Sequence, residues 1–218
     1  MRNLIGYDRL ASVYAILEWL MFGRDLQCAR VALLDKIPSA NQVLILGDGD
    51  GRLLTELLIH FPRAKVLSVD QSSAMLKRQD HSVSLVKAID RIEFCCVDAT
   101  TFKPERGKYD LLVLPFFLDC FDAPTLTTCL PNWLSGLNDD GAVYLVDFVQ
   151  PESGYARWRG KLLLWIMHAF FQIATDLQHR ELADLPDLLA TLGWQQTERI
   201  DRNNGLVTSR LYVRSSST

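Results

Sequence analysis

The sequence predicts an α/β fold: a doubly wound, mostly parallel seven-stranded sheet with two helices before it and a helical insertion after strand five. Three observations carry this expectation. Val43-Leu44-Ile45-Leu46-Gly47-Asp48-Gly49-Asp50-Gly51 is an apolar run that stops at three glycines spaced two apart, and Arg52 to Leu58 follows with apolar residues at helical spacing. Near-continuous apolar runs then alternate with helix-period segments as far as Phe148, the pattern of parallel strands covered on both faces. Close to the end, two strand-like runs are joined by Asn203-Asn204-Gly205, a hairpin signal.

In order, Tyr7 to Phe22 carries apolar residues at Leu10, Val13, Tyr14, Leu17, Leu20 and Met21, a helical period that Gly23 interrupts. A second helix is expected from Arg24 to Lys36, closed by Pro38. Strands are expected at Gln42–Leu46, Lys65–Val69, Ile92–Val97, Tyr109–Leu114 and Ala142–Phe148, the last preceded by an Asn138-Asp139-Asp140-Gly141 turn. Helices lie between them: Gly51 to His60, a helix that Ser72 caps, and one that Asp122 and Pro124 open. Leu162 to Phe171 is apolar all round and shorter than the roughly 18–20 residues a bilayer span needs. Asp184 to Leu192 reads as a helix, then Trp194–Asp201 and Leu206–Val213 as the late strands. The expected organisation is one domain over 1–218. Cap helices occupy 1–38, a cofactor-binding core 41–149, the insertion 151–193 and the terminal strands 194–214.

Composition narrows the class. Apolar residues are 49% and charged residues 22%, a globular balance. With 23 basic and 26 acidic residues the net charge is −3, so no whole-chain basic field points to nucleic acid. The N-terminus carries no run long enough for a signal peptide, and a cytoplasmic location is expected. Cys28, Cys95, Cys96, Cys120 and Cys129 have no metal-ligand spacing and are read as reduced, buried thiols; no metal is expected.

The glycine turn sets the chemistry. Glycine lets backbone approach a ligand closely, and the helix after it offers free N–H groups. Asp70, 19 residues past Gly51 at the end of strand two, is placed to accept from both ribose hydroxyls. Asp98, at the end of strand three, is placed to accept from an adenine amine beside that ribose. The nicotinamide pattern G-x-G-x-x-G would put its third glycine at Arg52, and Asp48 and Asp50 would repel a pyrophosphate. Two carboxylates suit a ligand with a sulfonium and an ammonium, which favours S-adenosylmethionine.

Leu44-Ile45-Leu46-Gly47-x-Gly49-x-Gly51, then Asp70, then Ser73-Ala74-Met75-Leu76, then Asp98-Ala99, resembles a class I S-adenosylmethionine-dependent methyltransferase over Asn41 to Phe148. Tyr7 to Tyr14, and Leu182 to Leu189 with Gly193-Trp194, are similar to the flanks of ubiquinone/menaquinone C-methyltransferase-like proteins. The resemblance implies a Rossmann-like methyltransferase fold and a set of cofactor contacts. Gly47, Asp48, Gly49 and Gly51 would lie along the methionine part, Asp70 and Gln71 at the ribose, and Met75, Asp98 and Ala99 at the adenine. Leu114 and Pro115 would lie under the cofactor; Tyr14 is a further candidate contact, read from the residues and not from the resemblance. The family usually carries Asp or Glu where this chain has Ile45, and Asp48 is the residue that would substitute.

Bland readings stand beside these. The glycines alone are compatible with a packing device, Asp70 with a helix cap, and Met75 and Leu76 with core filler. Tyr7 and Tyr14 share a helix face, as core or as an aromatic lid. The Leu162 run reads as a buried helix, a greasy acceptor pocket or a peripheral membrane contact. The expected activity is methyl transfer to a small, apolar, quinone-like or lipid-like acceptor. Asp119, Asp122, His168 and His179 are candidate bases, and no catalytic residue is singled out. A non-catalytic domain acting through protein contacts and a nicotinamide-dependent oxidoreductase are the alternatives.

Overall fold

The computed structural model describes residues 24–149 and 185–215. The expected first helix with Tyr7 and Tyr14, the apolar run from Leu162, and His168 and His179 lie outside them. The described elements are α1 (Asp25–Val31), β1 (Gln42–Leu46), α2 (Arg52–His60), β2 (Lys65–Asp70), α3 (Ser73–Leu85), β3 (Ile92–Cys96), β4 (Tyr109–Pro115), α4 (Ala123–Leu134), β5 (Leu137–Phe148), α5 (Leu185–Thr191), β6 (Trp194–Arg202) and β7 (Val207–Arg214).

The seven strands form one sheet in the order β3-β2-β1-β4-β5-β7-β6. The first five run parallel, while β7 pairs antiparallel with both β5 and β6. The order reverses direction at β1, whose neighbours are β2 and β4. In such sheets the crevice outside the strands' carboxyl ends at this reversal is where ligands bind.

Strand alternation sorts β1 into two layers. Val43 and Ile45 pack with Leu53, Leu54 and Leu57 of α2, on the side that also holds α1. Leu44 and Leu46 pack on the other side with Leu112, Leu114 and Trp133. Ile45 is 0% exposed, so the position where the resemblance expects an acid is part of this core. Tyr144 fastens α1 to the sheet: its hydroxyl donates to the Arg30 carbonyl at 2.9 Å, and burial pushes its pKa up to about 12.

Three expectations change. The helix expected over Arg24 to Lys36 ends at Val31, and a 3-10 turn at Leu34–Lys36 completes the segment. The turn expected at Asn138 to Gly141 is a bulge inside β5. Pairing passes from Tyr109–Leu137 to Leu111–Ala142, so those residues leave the ladder and Asp139 and Asp140 face solvent. The thiols are all free, but only Cys129 is buried; Cys96 is exposed and Cys28, Cys95 and Cys120 are half-buried. Cys95 and Cys96 do point to opposite faces, Cys95 packing on the Trp133 side. The hairpin at Asn203-Asn204-Gly205 has positive φ at all three residues, as its composition requires.

Candidate functional site

The site starts where β1 stops. Gly47 donates to the Val69 carbonyl at 2.9 Å, holding the turn against β2. Gly47, Gly49 and Gly51 have φ of 70°, 59° and 85°, so each glycine stands where a side chain would strain the backbone. Their surroundings differ. A Cβ on Gly47 would lie 2.1 Å from the Phe117 ring, one on Gly51 would lie 3.0 Å from Gln79 Cα, and one on Gly49 would meet nothing within 4 Å. The open face of the turn is therefore at Gly49.

Asp48 and Asp50 part company. Asp50 accepts from Arg52 Nε at 2.9 Å in a partly exposed ion pair, so it contributes little negative field to a ligand. This corrects the expectation of two carboxylates in the turn facing a cation. Asp48 is buried, and its Oδ2 accepts from Leu54 N–H at 2.8 Å. It serves the first turn of α2, whose own N-cap is Gly51 and has no side chain to offer. Its Oδ1 is buried with no hydrogen-bond partner. Burial pushes the Asp48 pKa up to about 7, against the opposing pull of Leu54 N–H and the Arg30 charge.

Asp70 ends β2 beneath the turn. Its Oδ1 accepts from Ser72 N–H at 2.8 Å. Burial raises its pKa, and the backbone N–H groups of Ser72 and Gly49 oppose the rise. Gln71 is exposed and Met75 half-buried; Met75 N–H donates to Ser72 Oγ at 3.3 Å, the cap of α3. Asp98 is exposed, two residues past the end of β3, and its Oδ1 accepts from both Thr100 N–H and Thr100 Oγ at 2.8 Å. Ala99 is buried and its carbonyl accepts from Trp133 Nε1 at 3.0 Å. Leu114 and Pro115 are buried at the end of β4. Gly47, Gly49, Gly51, Asp70, Asp98 and Pro115 thus share the carboxyl edge of β1 to β4, whereas Leu114 is a core residue of the Trp133 layer.

Four residues shape this edge that sequence reasoning missed. Gln79 of α3 is fully buried: it accepts from Ser68 Oγ at 2.6 Å and donates to the Gly49 carbonyl at 3.0 Å. Its spacing from Leu76 and Val83 placed it on the inward face, which was the available signal. Phe117 covers Gly47 and packs on Phe121 and Trp133, with ring centroids 5.0 and 5.5 Å away. Trp133 ties α4 to the loop after β3. Asp147, near the end of β5, is buried with Oδ2 unpartnered.

Phe116 turns the chain between these layers. Its φ is +52°, rare for a bulky residue. That backbone places the Phe116 ring by Phe148 and the Arg30 guanidinium, each 4.9 Å from its centroid. Phe117 is left on the opposite side, over the glycine turn. Of the candidate bases, Asp122 caps α4, accepting from Thr125 N–H at 2.9 Å. Asp122→Ala is expected to lower stability by about 1 kcal/mol, measured by urea denaturation. Among the described residues no group of three or more His, Cys, Asp or Glu could hold a metal ion, and no helix is long and apolar enough to cross a membrane.

Strand order, glycine turn and acidic edge together define a Rossmann-like methyltransferase fold. Residues 43–141 match the family model of a methyltransferase domain. Over 93 residues the chain is 32% identical to the malonyl-[acyl-carrier protein] O-methyltransferase of Halalkalibacterium halodurans, covering 42% of this chain and 34% of that protein. The chain therefore spans about a third of the length of that curated relative. Among solved structures, mitomycin 7-O-methyltransferase superposes with a TM-score of 0.71 at 16% identity, covering 94% of this chain and 58% of that one. The N-methyltransferase NodS of Bradyrhizobium japonicum gives 0.62 at 14% identity, covering 89% and 97%. At such identities the structural likeness is one of fold.

Proposed function

We propose that this protein binds S-adenosylmethionine and transfers its methyl group to a small-molecule acceptor. The observation that carries the reading is the glycine turn set against the end of β2: three left-handed glycines, an open face at Gly49, Gly47 N–H bonded to the Val69 carbonyl, and the Asp70 carboxylate at the next residue. The residues present fit the cofactor. Asp70 would take the ribose hydroxyls, and Asp98, whose bonds to Thr100 fall on one oxygen, would take the adenine amine. The orphaned Asp48 Oδ1 is a buried acceptor suited to an ammonium, in place of the acid that Ile45 lacks. The methionine sulfonium, when bound, supplies an already activated methyl. The chain's task is then to hold the acceptor in line and keep water out. The matched family model and the small-molecule acceptor named for mitomycin 7-O-methyltransferase support this class. Within it, the apolar run from Leu162 to Phe171 favours a quinone-like or lipid-like acceptor.

A second reading, a non-catalytic domain of the same fold, draws on Ile45 in the core and on the Phe117 ring over Gly47. Calorimetric titration separates the readings. S-adenosylhomocysteine is expected to bind and NADH not to. Binding of NADH alone would make this an oxidoreductase, and binding of neither would favour the non-catalytic domain. Asp70→Ala is expected to weaken S-adenosylhomocysteine binding by about 1.5–3 kcal/mol, the range for losing charge-assisted hydrogen bonds. A dissociation constant unchanged from wild type removes Asp70 from the cofactor contacts.

A further inference from the structure

β4 and β5 end side by side next to the glycine turn, and each brings an acid there. Asp119 lies in the 3-10 turn Leu118–Cys120 that follows β4 and packs against β5. Asp147 stands one residue before the end of β5 and is 2% exposed. Its Oδ1 accepts from Phe148 N–H at 2.8 Å, while Oδ2 is buried with no partner. Asp119 Oδ1 faces the Cys120 thiol at 3.6 Å. The two acids sense one another, and Asp70 of the cofactor edge adds to the negative field at Cys120. Among the described residues the cation acting on Asp147 is Arg210 of β7, paired in register with Leu145. Its Nε is itself buried without a hydrogen bond, so it does not close an ion pair through that atom. Desolvation pushes Asp119 up to about 7 and holds Asp147 well above the usual carboxylate range, with Asp119 adding to the rise. Apolar residues of similar size would serve packing at lower cost than the buried Asp147 carboxyl, with its orphaned oxygen, beside the half-buried Asp119.

We propose that Asp119 and Asp147 form a carboxyl pair on the acceptor side of the site, selecting acceptors that present an ionisable O–H or N–H and receiving their proton during methyl transfer. This rests on the methyltransferase reading above. The acceptor's lone pair forms the new bond to the methyl carbon. The carbon–sulfur bond breaks with its electrons going to sulfur, which leaves as a neutral thioether. The acceptor's proton passes to the ionised carboxylate of the pair. Two acids with interacting charges hold one proton readily and resist losing both, which suits a base working near neutral pH. A carboxylate acceptor would meet like charge here and is excluded.

The test uses the whole chain. S-adenosylhomocysteine is titrated into wild type, Asp119→Asn and Asp147→Asn, with dissociation constants expected to agree within about twofold. Benzylamine and benzoate are then titrated into each protein saturated with S-adenosylhomocysteine at pH 7. Benzylamine is expected to bind wild type at least tenfold more tightly than benzoate, and about tenfold more weakly to either variant. Benzoate binding as tightly as benzylamine, no benzylamine binding, or benzylamine binding indifferent to both substitutions overturns the proposal and leaves the methyltransferase reading intact. Failure of S-adenosylhomocysteine to bind wild type defeats that reading instead. The pair is checked separately, on ligand-free protein, by carbon-13 NMR of the aspartate carboxyls. Asp119 is expected to titrate at about 7 and Asp147 well above the usual carboxylate range, with Asp119→Asn lowering the midpoint of Asp147. Midpoints near 4 for both overturn it.

Discussion

Gly47→Ala is expected to lower the stability of the protein by about 2–5 kcal/mol, the largest loss of any single methyl added to the turn. A left-handed backbone costs an L-residue about 1–2 kcal/mol, and overpacking adds about 1–3. Both act here. Gly47 has φ +70°, and the added carbon would lie 2.1 Å from the Phe117 ring, itself wedged between Phe121 and Trp133. Gly49 is the internal control, because it has φ +59° but open space around its Cβ position. Gly49→Ala should lose only the backbone part, about 1–2 kcal/mol. Adding Phe117→Ala to Gly47→Ala should recover the overpacking part, though at the price of the aromatic contacts. Urea denaturation of the three variants decides it. Equal losses for Gly47→Ala and Gly49→Ala would mean that Phe117 does not seat on the turn.

The second large effect is on the pH dependence of folding. Asp48 titrates near 4 when unfolded and at about 7 when folded, because burial penalises its charge. Between those values the folded chain holds a proton that the unfolded chain has released. Stability is therefore full below about pH 4, declines as pH rises, and levels off above about 7. Asp119 and Asp147 shift the same way, so the three acids add. Asp48→Asn keeps an oxygen for Leu54 N–H and removes the titration. Between pH 5 and pH 8, wild type is expected to lose on the order of 3 kcal/mol relative to this variant. Parallel profiles across that range would show that Asp48 is ionised in the folded state.

Much of the fold was legible because each element announced itself locally. Gln42–Leu46 is apolar at every position past the first and stops at glycine, so strand and turn were both visible. Ser72 and Asp122 were readable as caps, since their side chains bond N–H groups three residues on. The Asn138 to Gly141 stretch misled because turn composition also suits a bulge, and only the pairing partner distinguishes them. Cys96 was misread as buried because strand alternation says which residues differ in facing, not which face is covered.

At the candidate site the division is sharper. Asp50 looked like half of an acidic turn, but Arg52 claims it at 2.9 Å, a local contact that residue types alone do not rank. Phe117 and Asp147 carried no local mark, and Gln79 only its helical spacing from Leu76 and Val83. They come from the segment after β4, from α3 and from β5, and gather at this edge only because the sheet order sets those elements around β1. By itself the sequence determined the strand–turn–helix unit, the carboxylates that follow β2 and β3, and hence the edge where a nucleoside would lie. Those depend on backbone freedom and periodicity within a few residues. Which acids stay charged, which ring seats on Gly47, and which carboxyls meet beside β5 were decided by tertiary structure alone, because desolvation and contact depend on neighbours far away in the chain.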